Sequence, residues 1–159
     1  MIWRRIFSRG DAALSEASAR DAASIATLHA ASFRRGWSED EVERLIAERN
    51  VIVHRAVGGR ALRGFIMSRL AADEAEILSV AVASAAQGRG LARKLLDLHL
   101  RRLAGLGCRA VFLEVDENNA AAIRLYRRAG FREVSRRANY YSGAGGKSAA
   151  ALVLRRDLN

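Results

Sequence analysis

The stretch Gln87-Gly88-Arg89-Gly90-Leu91-Ala92 decides the fold, because it joins a strand-like apolar segment to a segment with the periodicity of a helix. Upstream, residues 74–82 are too continuously apolar for a strand that has one face in water. Downstream, leucines recur at helical spacing from Leu91 until Gly105. The sequence therefore predicts a buried strand, a glycine turn and a long helix in direct succession.

This glycine turn has the chemistry of an anion site. Backbone N–H groups in such a turn can converge on one point, and the helix N-terminus adds partial positive charge, so a pyrophosphate would be held there. Arg89, Arg93 and Lys94 would supplement it. Neither the Walker pattern nor a full G-x-G-x-x-G is present, which disfavours ATP and NAD. The alternative is a plain turn that uses glycine for its positive φ.

The rest of the chain adds alternating helical and strand patterns. Helices are predicted at residues 21–33, with Asp21 as cap, and at 38–49, where Ser38 and Glu41 form a capping box. The remaining predicted elements are strands at 51–57, 62–70, 110–115, 131–137 and 149–155 and a helix from Asn118 or Asn119 to Ala129. This order predicts an α/β domain, a mixed and mostly antiparallel sheet flanked by about four helices. We expect it to span residues 12–159 after a basic extension at 1–11, with a flexible loop at 142–147.

Composition narrows the class of protein. The 159 residues, 50% of them hydrophobic, suit one globular domain, and no apolar run reaches the roughly 18 residues of a membrane span. The single Cys108 allows no internal disulfide, so a cytoplasmic location is expected. His29, His54 and His99 look isolated, either structural or exposed, and no metal site is predicted. The net charge of +10 attracts polyanions, but without an RNA-binding aromatic signature no specific nucleic acid is expected.

Two side chains in the second half of the chain are candidates for acid–base chemistry. Glu114 interrupts an apolar strand, where an ionised carboxylate is costly unless it is paired or used. Partial desolvation would make it a better general base, and an ion pair with an arginine is the alternative. Tyr126 follows Ile123 by one helical turn, so it is either a core aromatic or a hydroxyl that reaches a site.

Several separated motifs share one resemblance. They are the loop Gln87–Ala92, Trp37-Ser38, Leu113-Glu114-Val115, Asn118 to Tyr126, Gly130-Phe131 and Asn139-Tyr140-Tyr141. The loop resembles the Q/R-x-x-G-x-G/A acetyl-CoA loop of the GCN5-related N-acetyltransferases (GNAT), and the others resemble the signature of the RimI type within that family. The element order is also similar, and the resemblance covers nearly the whole chain after about residue 12.

The resemblance implies a function and a set of roles. Acetyl would pass from acetyl-CoA directly to a protein N-terminal amine, for the RimI type the N-terminal alanine of a small-subunit ribosomal protein. Glu114 would accept the amine proton and Tyr126 would assist the departing thiolate. The implied acetyl-CoA contacts are Val80, Ala81, Val82, Gln87, Gly88, Arg89, Gly90, Leu91, Ala92, Arg93, Asn119 and Tyr126.

The implied acceptor side lies elsewhere in the chain, at Trp37, Glu39, Asp40, Tyr140 and Tyr141. The acidic residues there would attract a basic peptide tail. The alternative is that they only complement the helix dipole, since acidic residues are favoured in the first turn of any helix.

Departures from the family pattern weaken the inference about substrate more than the one about fold. The chain contains no proline: Gly36 stands where the family often has one, and residues 83–85 replace a proline-containing turn. Ala138 is inserted before Asn139, where an arginine would precede. Two other classes stay open. One is an acetyltransferase of the same fold acting on a small amine or antibiotic, and the other is a noncatalytic basic module that binds ribosome or RNA through its arginines.

Overall fold

One seven-stranded sheet organises the part of the chain that the structure describes, in the order β1-β2-β3-β4-β5-β7-β6. The structure is a computed structural model that describes residues 12–142 and 148–158. The strands are β1 (Ala13–Glu16), β2 (Val51–Gly58), β3 (Ala61–Ala71), β4 (Glu74–Val82), β5 (Ala110–Asp116), β6 (Arg132–Ser142) and β7 (Ser148–Asp157). The helices are α1 (Ala22–Ser32), α2 (Glu39–Ala47), α3 (Leu91–Gly105) and α4 (Ala120–Arg128). The predicted α/β domain with a mixed sheet and about four helices is confirmed.

The sheet is antiparallel except between β4 and β5. Their parallel register begins at Glu74 opposite Ala110 and ends at Glu76 opposite Phe112. On its other side β4 stays paired with β3 as far as Val82, with a register shift that leaves Leu78 as an extra residue. Such a bulge bends a strand and increases its local twist. The carboxyl half of β4 is therefore paired on one side only, next to the carboxyl half of β5.

The two faces of the sheet are covered by different helices. On one face, Ile66 packs in a core with fully buried leucines of α3, among them Leu95 and Leu103. On the other, its neighbours Phe65 and Met67 pack with residues of α1 and α2. This alternation along β3 follows from the period of two in a strand, and it places α3 opposite the α1–α2 pair.

Two details near the start of the domain differ from the prediction. Ala13–Glu16 pairs with β2 as β1, although no strand was expected there. The segment Ala-Leu-Ser-Glu has no β-branched residue, so its strand conformation comes from pairing with β2 and not from local propensity. Asp21 is the N-cap residue of α1 as predicted, but its side chain makes no capping hydrogen bond to α1. The carboxylate instead pairs with Arg55 of β2 and accepts the Ser18 N–H.

Two of the predicted segments lie in parts of the chain that the structure does not describe. Residues 1–11 and 143–147, which include the expected basic extension and most of the expected loop, lie outside the described residues. Within the described residues, no helix combines the length and apolar character needed to cross a membrane. The same residues hold no group of three His, Cys, Asp or Glu side chains placed to bind a metal ion.

Candidate active site

A cavity of about 660 Å³ opens beside the point where β4 and β5 stop pairing. Its walls include Val80 from β4, Glu114 from β5 and Tyr126 from α4. Asn119 also lines it and caps α4, since its Oδ1 accepts the Ala122 N–H at 3.2 Å. A carboxylate, a phenol and a strand that lacks a partner on one side thus meet in this first cavity.

Glu114 is less buried than the sequence predicted. Leu113 and Val115 pack in the α3 core, whereas Glu114 lies on the opposite side of β5, which the cavity opens to solvent. Its side chain is 31% exposed, and its Oε1 lies 3.5 Å from Nη2 of Arg137. The expected burial of this carboxylate is therefore wrong, because an apolar strand sequence does not reveal that one of its faces is uncovered. The ion pair that was the alternative does form, near the surface.

Tyr126 satisfies both descriptions that the sequence left open. It is 8% exposed, and its ring contacts Phe131 edge-on with centroids 5.6 Å apart. It also lines the first cavity. Burial raises the pKa of Tyr126 to about 12, so the hydroxyl is protonated at neutral pH and can donate a hydrogen bond or a proton.

The tyrosine pair of β6 is divided between the cavity and the surface. Tyr141 lines the first cavity, where burial and then the charge of Glu114 raise its pKa. Tyr140 is 48% exposed, and the guanidinium of Arg137 lies 4.6 Å above its ring. The register of β6 on β7 shifts between Arg137 and Tyr141, and Asn139 has a φ of 55°. The inserted Ala138 is therefore accommodated in a bulge that sets the two rings differently.

A second cavity, of about 380 Å³, lies at the N-terminus of α3. Gly88 and Gly90 line it with φ of 78° and 73°, a left-handed conformation that other residues adopt at a cost. Gln87 stabilises the turn by donating from Nε2 to the Val82 carbonyl at 3.0 Å. Leu91, Ala92 and Arg93 continue the lining into the first turn of α3, so its N–H groups border the cavity.

Two cationic residues that line this second cavity were not predicted from the sequence. Arg124 and Arg128 line it from α4, one turn apart, beside Arg93, which also pairs with Asp97 at 2.9 Å. Arg89 and Lys94, which we expected to help bind a pyrophosphate, are exposed, and they are not among the described residues that line this cavity. The i, i+4 spacing of Arg124 and Arg128 was visible, but nothing in the sequence places α4 beside the glycine turn.

The two cavities follow each other along the same elements. Val80 lines the first and Val82 the second, with Ala81 buried between them. On α4, Ala122 faces the first cavity and Ala121 the second. The site thus joins a basic, glycine-lined end to an end that holds a carboxylate and a phenol.

The predicted acceptor residues are only partly brought to this site. Trp37 lines a third cavity, of about 480 Å³, which adjoins the first because Leu78 lines both. Glu39 and Asp40 are exposed in the first turn of α2, after the capping box that Ser38 forms with Glu41. The lining residues described for these three cavities include neither acid. The favourable interaction of acidic side chains with a helix N-terminus is enough to explain why Glu39 and Asp40 lie there, without a ligand.

An α/β sheet that parts beside a helix N-terminus lined by arginines, with acid–base groups in the opening, fits an enzyme that binds a phosphate-bearing substrate. Comparison with known proteins specifies it further. The sequence profile of the acetyltransferase (GNAT) family matches residues 22–131, and the chain belongs to this family. The resemblance predicted from the motifs is confirmed, and the chain is a GNAT-type N-acetyltransferase.

Individual relatives agree with this assignment. The ribosomal protein bS18-alanine N-acetyltransferase of Escherichia coli strain K12 is 33% identical over 117 residues, 74% of this chain and 78% of that protein. A mycothiol acetyltransferase of a Parafrankia species is 46% identical over 71 residues, 45% of this chain and 22% of that protein.

Solved structures show the same fold. The crystal structure of the ribosomal-protein-S18-alanine N-acetyltransferase from Escherichia coli has a TM-score of 0.86 at 26% identity, covering 93% of this chain and 94% of that one. Arabidopsis thaliana NAA60, solved in complex with acetyl-CoA, has a TM-score of 0.81 at 20% identity, covering 93% and 99%.

Proposed function

We propose that this enzyme transfers acetyl from acetyl-CoA to the N-terminal α-amine of a protein, and that its acceptor is the N-terminal alanine of a small-subunit ribosomal protein. The Escherichia coli relative named for that activity on bS18, matched over 78% of its length, supports this acceptor class. The observation that carries the chemistry is the meeting of Glu114, Tyr126 and the open side of β4 in one cavity.

The second cavity is the site for the phosphates of acetyl-CoA. The N–H groups of the first turn of α3 would bind the pyrophosphate, and Arg93, Arg124 and Arg128 would neutralise its charge. Because β4 and α4 run from this cavity to the first one, the pantetheine arm would lie between them and bring the thioester to Val80. Backbone groups around Val80, Ala81 and Val82 would orient and polarise its carbonyl.

Acetyl transfer then needs two proton movements. The amine nitrogen attacks the thioester carbonyl carbon and the carbon–sulfur bond breaks, while Glu114 takes the proton that the amine loses. Tyr126 gives a hydrogen bond or its proton to the departing thiolate, which its protonated state allows. An α-amine suits a single carboxylate base, because its pKa of about 7.7–8.0 is well below the roughly 10.4 of a lysine side chain.

The direct test measures coenzyme A release with three acceptors. A peptide that begins with alanine should be acetylated. A matched peptide, with its N-terminus blocked and a lysine inside, should react much more slowly. Small amines form the third set, because the local match to a mycothiol acetyltransferase makes a small acceptor worth testing. Release with small amines alone would overturn the proposed acceptor.

Variants test the roles of the two side chains. Glu114→Gln should lower turnover by roughly 10²-fold or more, the usual cost of losing a general base. Tyr126→Phe removes only the hydroxyl, so it should depress turnover more than acetyl-CoA affinity. Calorimetry of acetyl-CoA binding is the control for both. Near-normal turnover in both variants would leave Glu114 and Tyr126 with structural roles.

A further inference from the structure

The loop between α1 and α2, residues 33–38, borders two of the three cavities described above. Phe33 and Arg34 line the first cavity, and Arg35 and Trp37 line the third. A chain without proline has no ring to restrict φ in this loop, so contacts with the rest of the domain must hold its shape.

His29 makes the contacts that hold this loop. It lies on the buried face of α1 and is 5% exposed. Its imidazole stacks on the Trp37 ring, with centroids 4.0 Å apart and planes 10° from parallel, and also touches Phe33, at 4.5 Å between centroids. Its Nδ1 accepts the backbone N–H of Trp37 at 3.0 Å. One side chain thus fixes both the backbone and the ring of Trp37.

Gly36 shows how closely the loop lies on α1. A Cβ at Gly36 would be 2.7 Å from both Cα and Cβ of Ala30, a distance that real Cβ atoms essentially never show. The backbone therefore lies too close to α1 for a Cβ at this position. This contact and the His29–Trp37 hydrogen bond, one residue apart, together define the path of the loop.

The hydrogen bond from Trp37 requires a particular protonation state. Nδ1 can accept only while it carries no proton, so the neutral ring has its proton on Nε2. Protonation would place a second N–H against the N–H of Trp37. Phe65 of β3 faces the ring at 6.4 Å between centroids, and Glu41 of α2 is the charged group that acts on it. Burial lowers the pKa of His29 and Glu41 opposes that effect, so the neutral form dominates at neutral pH.

We propose that His29 is a positioning residue for the acceptor: its neutral form holds residues 33–38 in the shape that the acceptor binds. Protonation releases the loop and weakens acceptor binding, while acetyl-CoA binding at the second cavity is unaffected. This proposal rests on the proposed function in one respect, that the acceptor enters the first cavity past Phe33 and Arg34.

Two matched variants separate the hydrogen bond from the titration. In His29→Asn the amide oxygen can occupy the place of Nδ1, so an acceptor for Trp37 remains but cannot titrate. In His29→Gln the amide reaches instead toward the place of Nε2, and the Trp37 N–H loses its partner. At about pH 8 the peptide KM of His29→Gln should rise about tenfold, as for loss of one partly buried hydrogen bond. The KM of His29→Asn, which lacks the stacked ring but keeps the hydrogen-bond acceptor, should lie between those of His29→Gln and the parent. kcat and the acetyl-CoA Kd should stay within about twofold of the parent.

Acidification tests the second half of the proposal. Protonation of the acceptor amine affects every variant equally, so the ratio of the parent's peptide KM to that of His29→Asn isolates His29. Because burial lowers the pKa of His29, this ratio should stay level near pH 6.5, the ordinary pKa of histidine, and rise only as the pH falls further, toward the lowered value.

A fluorescence titration provides a readout that needs no substrate. The chain has two tryptophans, Trp3 and Trp37, so Trp3→Phe leaves Trp37 as the reporter. A protonated imidazole quenches an indole stacked on it, and emission should therefore fall on acidification in this background and stay level when His29→Asn is added. Failure of the proposed acceptor would leave this result intact.

Two outcomes would overturn the proposal. One is an unchanged peptide KM in His29→Gln at about pH 8. The other is a constant KM ratio together with constant Trp37 emission down to the pH at which circular dichroism shows loss of the fold.

Discussion

Two histidines inside the α3 core should make the folded state sensitive to acid. Nδ1 of His54 lies 2.7 Å from Nδ1 of His99, and Nε2 of His99 lies 2.7 Å from Oγ of Ser68. All three residues are buried. Burial, and then the neighbouring His54, lower the pKa of His99 from 6.5 to about 3. The expectation that these histidines are isolated is therefore wrong.

The size of the effect follows from linkage. Since the folded pKa of His99 is below the unfolded one, the unfolded chain binds more protons at any pH between the two values. The free energy of unfolding must then fall as the pH drops below about 6.5 and keep falling toward the folded pKa. For one such group, the loss relative to alkaline pH is about 0.2 kcal/mol at pH 7 and about 2 kcal/mol at pH 5. The value at about pH 5 requires only that the folded pKa lie well below 5.

Urea unfolding at about pH 7 and about pH 5 measures this loss. The comparison variant is His99→Gln, which keeps polar atoms near His54 and Ser68 but does not titrate. Its stability will differ from the parent at every pH, so only the change between the two pH values is compared. The parent should lose about 2 kcal/mol more than the variant. Equal losses would show that His99 does not become protonated on unfolding, and would refute the reasoning.

Three further predictions concern the site and its surroundings. Gly36→Ala should lower the free energy of unfolding by about 1–3 kcal/mol in a denaturant titration, because its Cβ would lie 2.7 Å from atoms of α1. Replacing Arg124 and Arg128 together by Gln should weaken acetyl-CoA binding about tenfold or more in calorimetry, with a smaller loss at high salt. Replacing Glu39 and Asp40 together by Lys should raise the KM for a peptide that begins with alanine and has arginine second, because the attraction for its basic tail is lost, and added salt should reduce the change. An unchanged KM at low salt would leave the two acids with only a role at the helix N-terminus.

Local chemistry explains which parts of the structure the sequence predicted well. The leucine pattern after Leu91 and the glycines at 88 and 90 act within a few residues, so helix α3 and the turn before it were predictable. The capping box of Ser38 and Glu41 located the start of α2 for the same reason. Strand β1 was not predictable, because its conformation depends on pairing with β2, about 40 residues later along the chain.

The side-chain environments that the sequence did not predict depend on how elements pack. His99 lies three and four residues after Leu96 and Leu95, within the buried face of α3, and this spacing was a signal that it is buried. Its pairing with His54 could not be inferred, because it depends on β2 lying under α3. Likewise, the exposure of Glu114 depends on where β4 and β5 stop pairing, which is a property of the whole sheet.

The two ends of the proposed active site are held together by different kinds of interaction. At the end that we propose binds acetyl-CoA, the φ angles of Gly88 and Gly90 and the helix that follows them shape the second cavity within a few consecutive residues. At the proposed acceptor end, side-chain contacts between different elements hold the walls, such as Trp37 on His29 and Glu114 beside Arg137. A sequence motif can reveal a site built from consecutive residues but not one built from contacts between separate elements. A substitution in one of those contacting pairs can therefore change the shape of the proposed acceptor end without changing the proposed phosphate site. This difference explains why more of the residues predicted to contact acetyl-CoA than of those predicted to contact the acceptor line the cavities, and why we expect changes in substrate preference to arise around residues 33–38 and in β6.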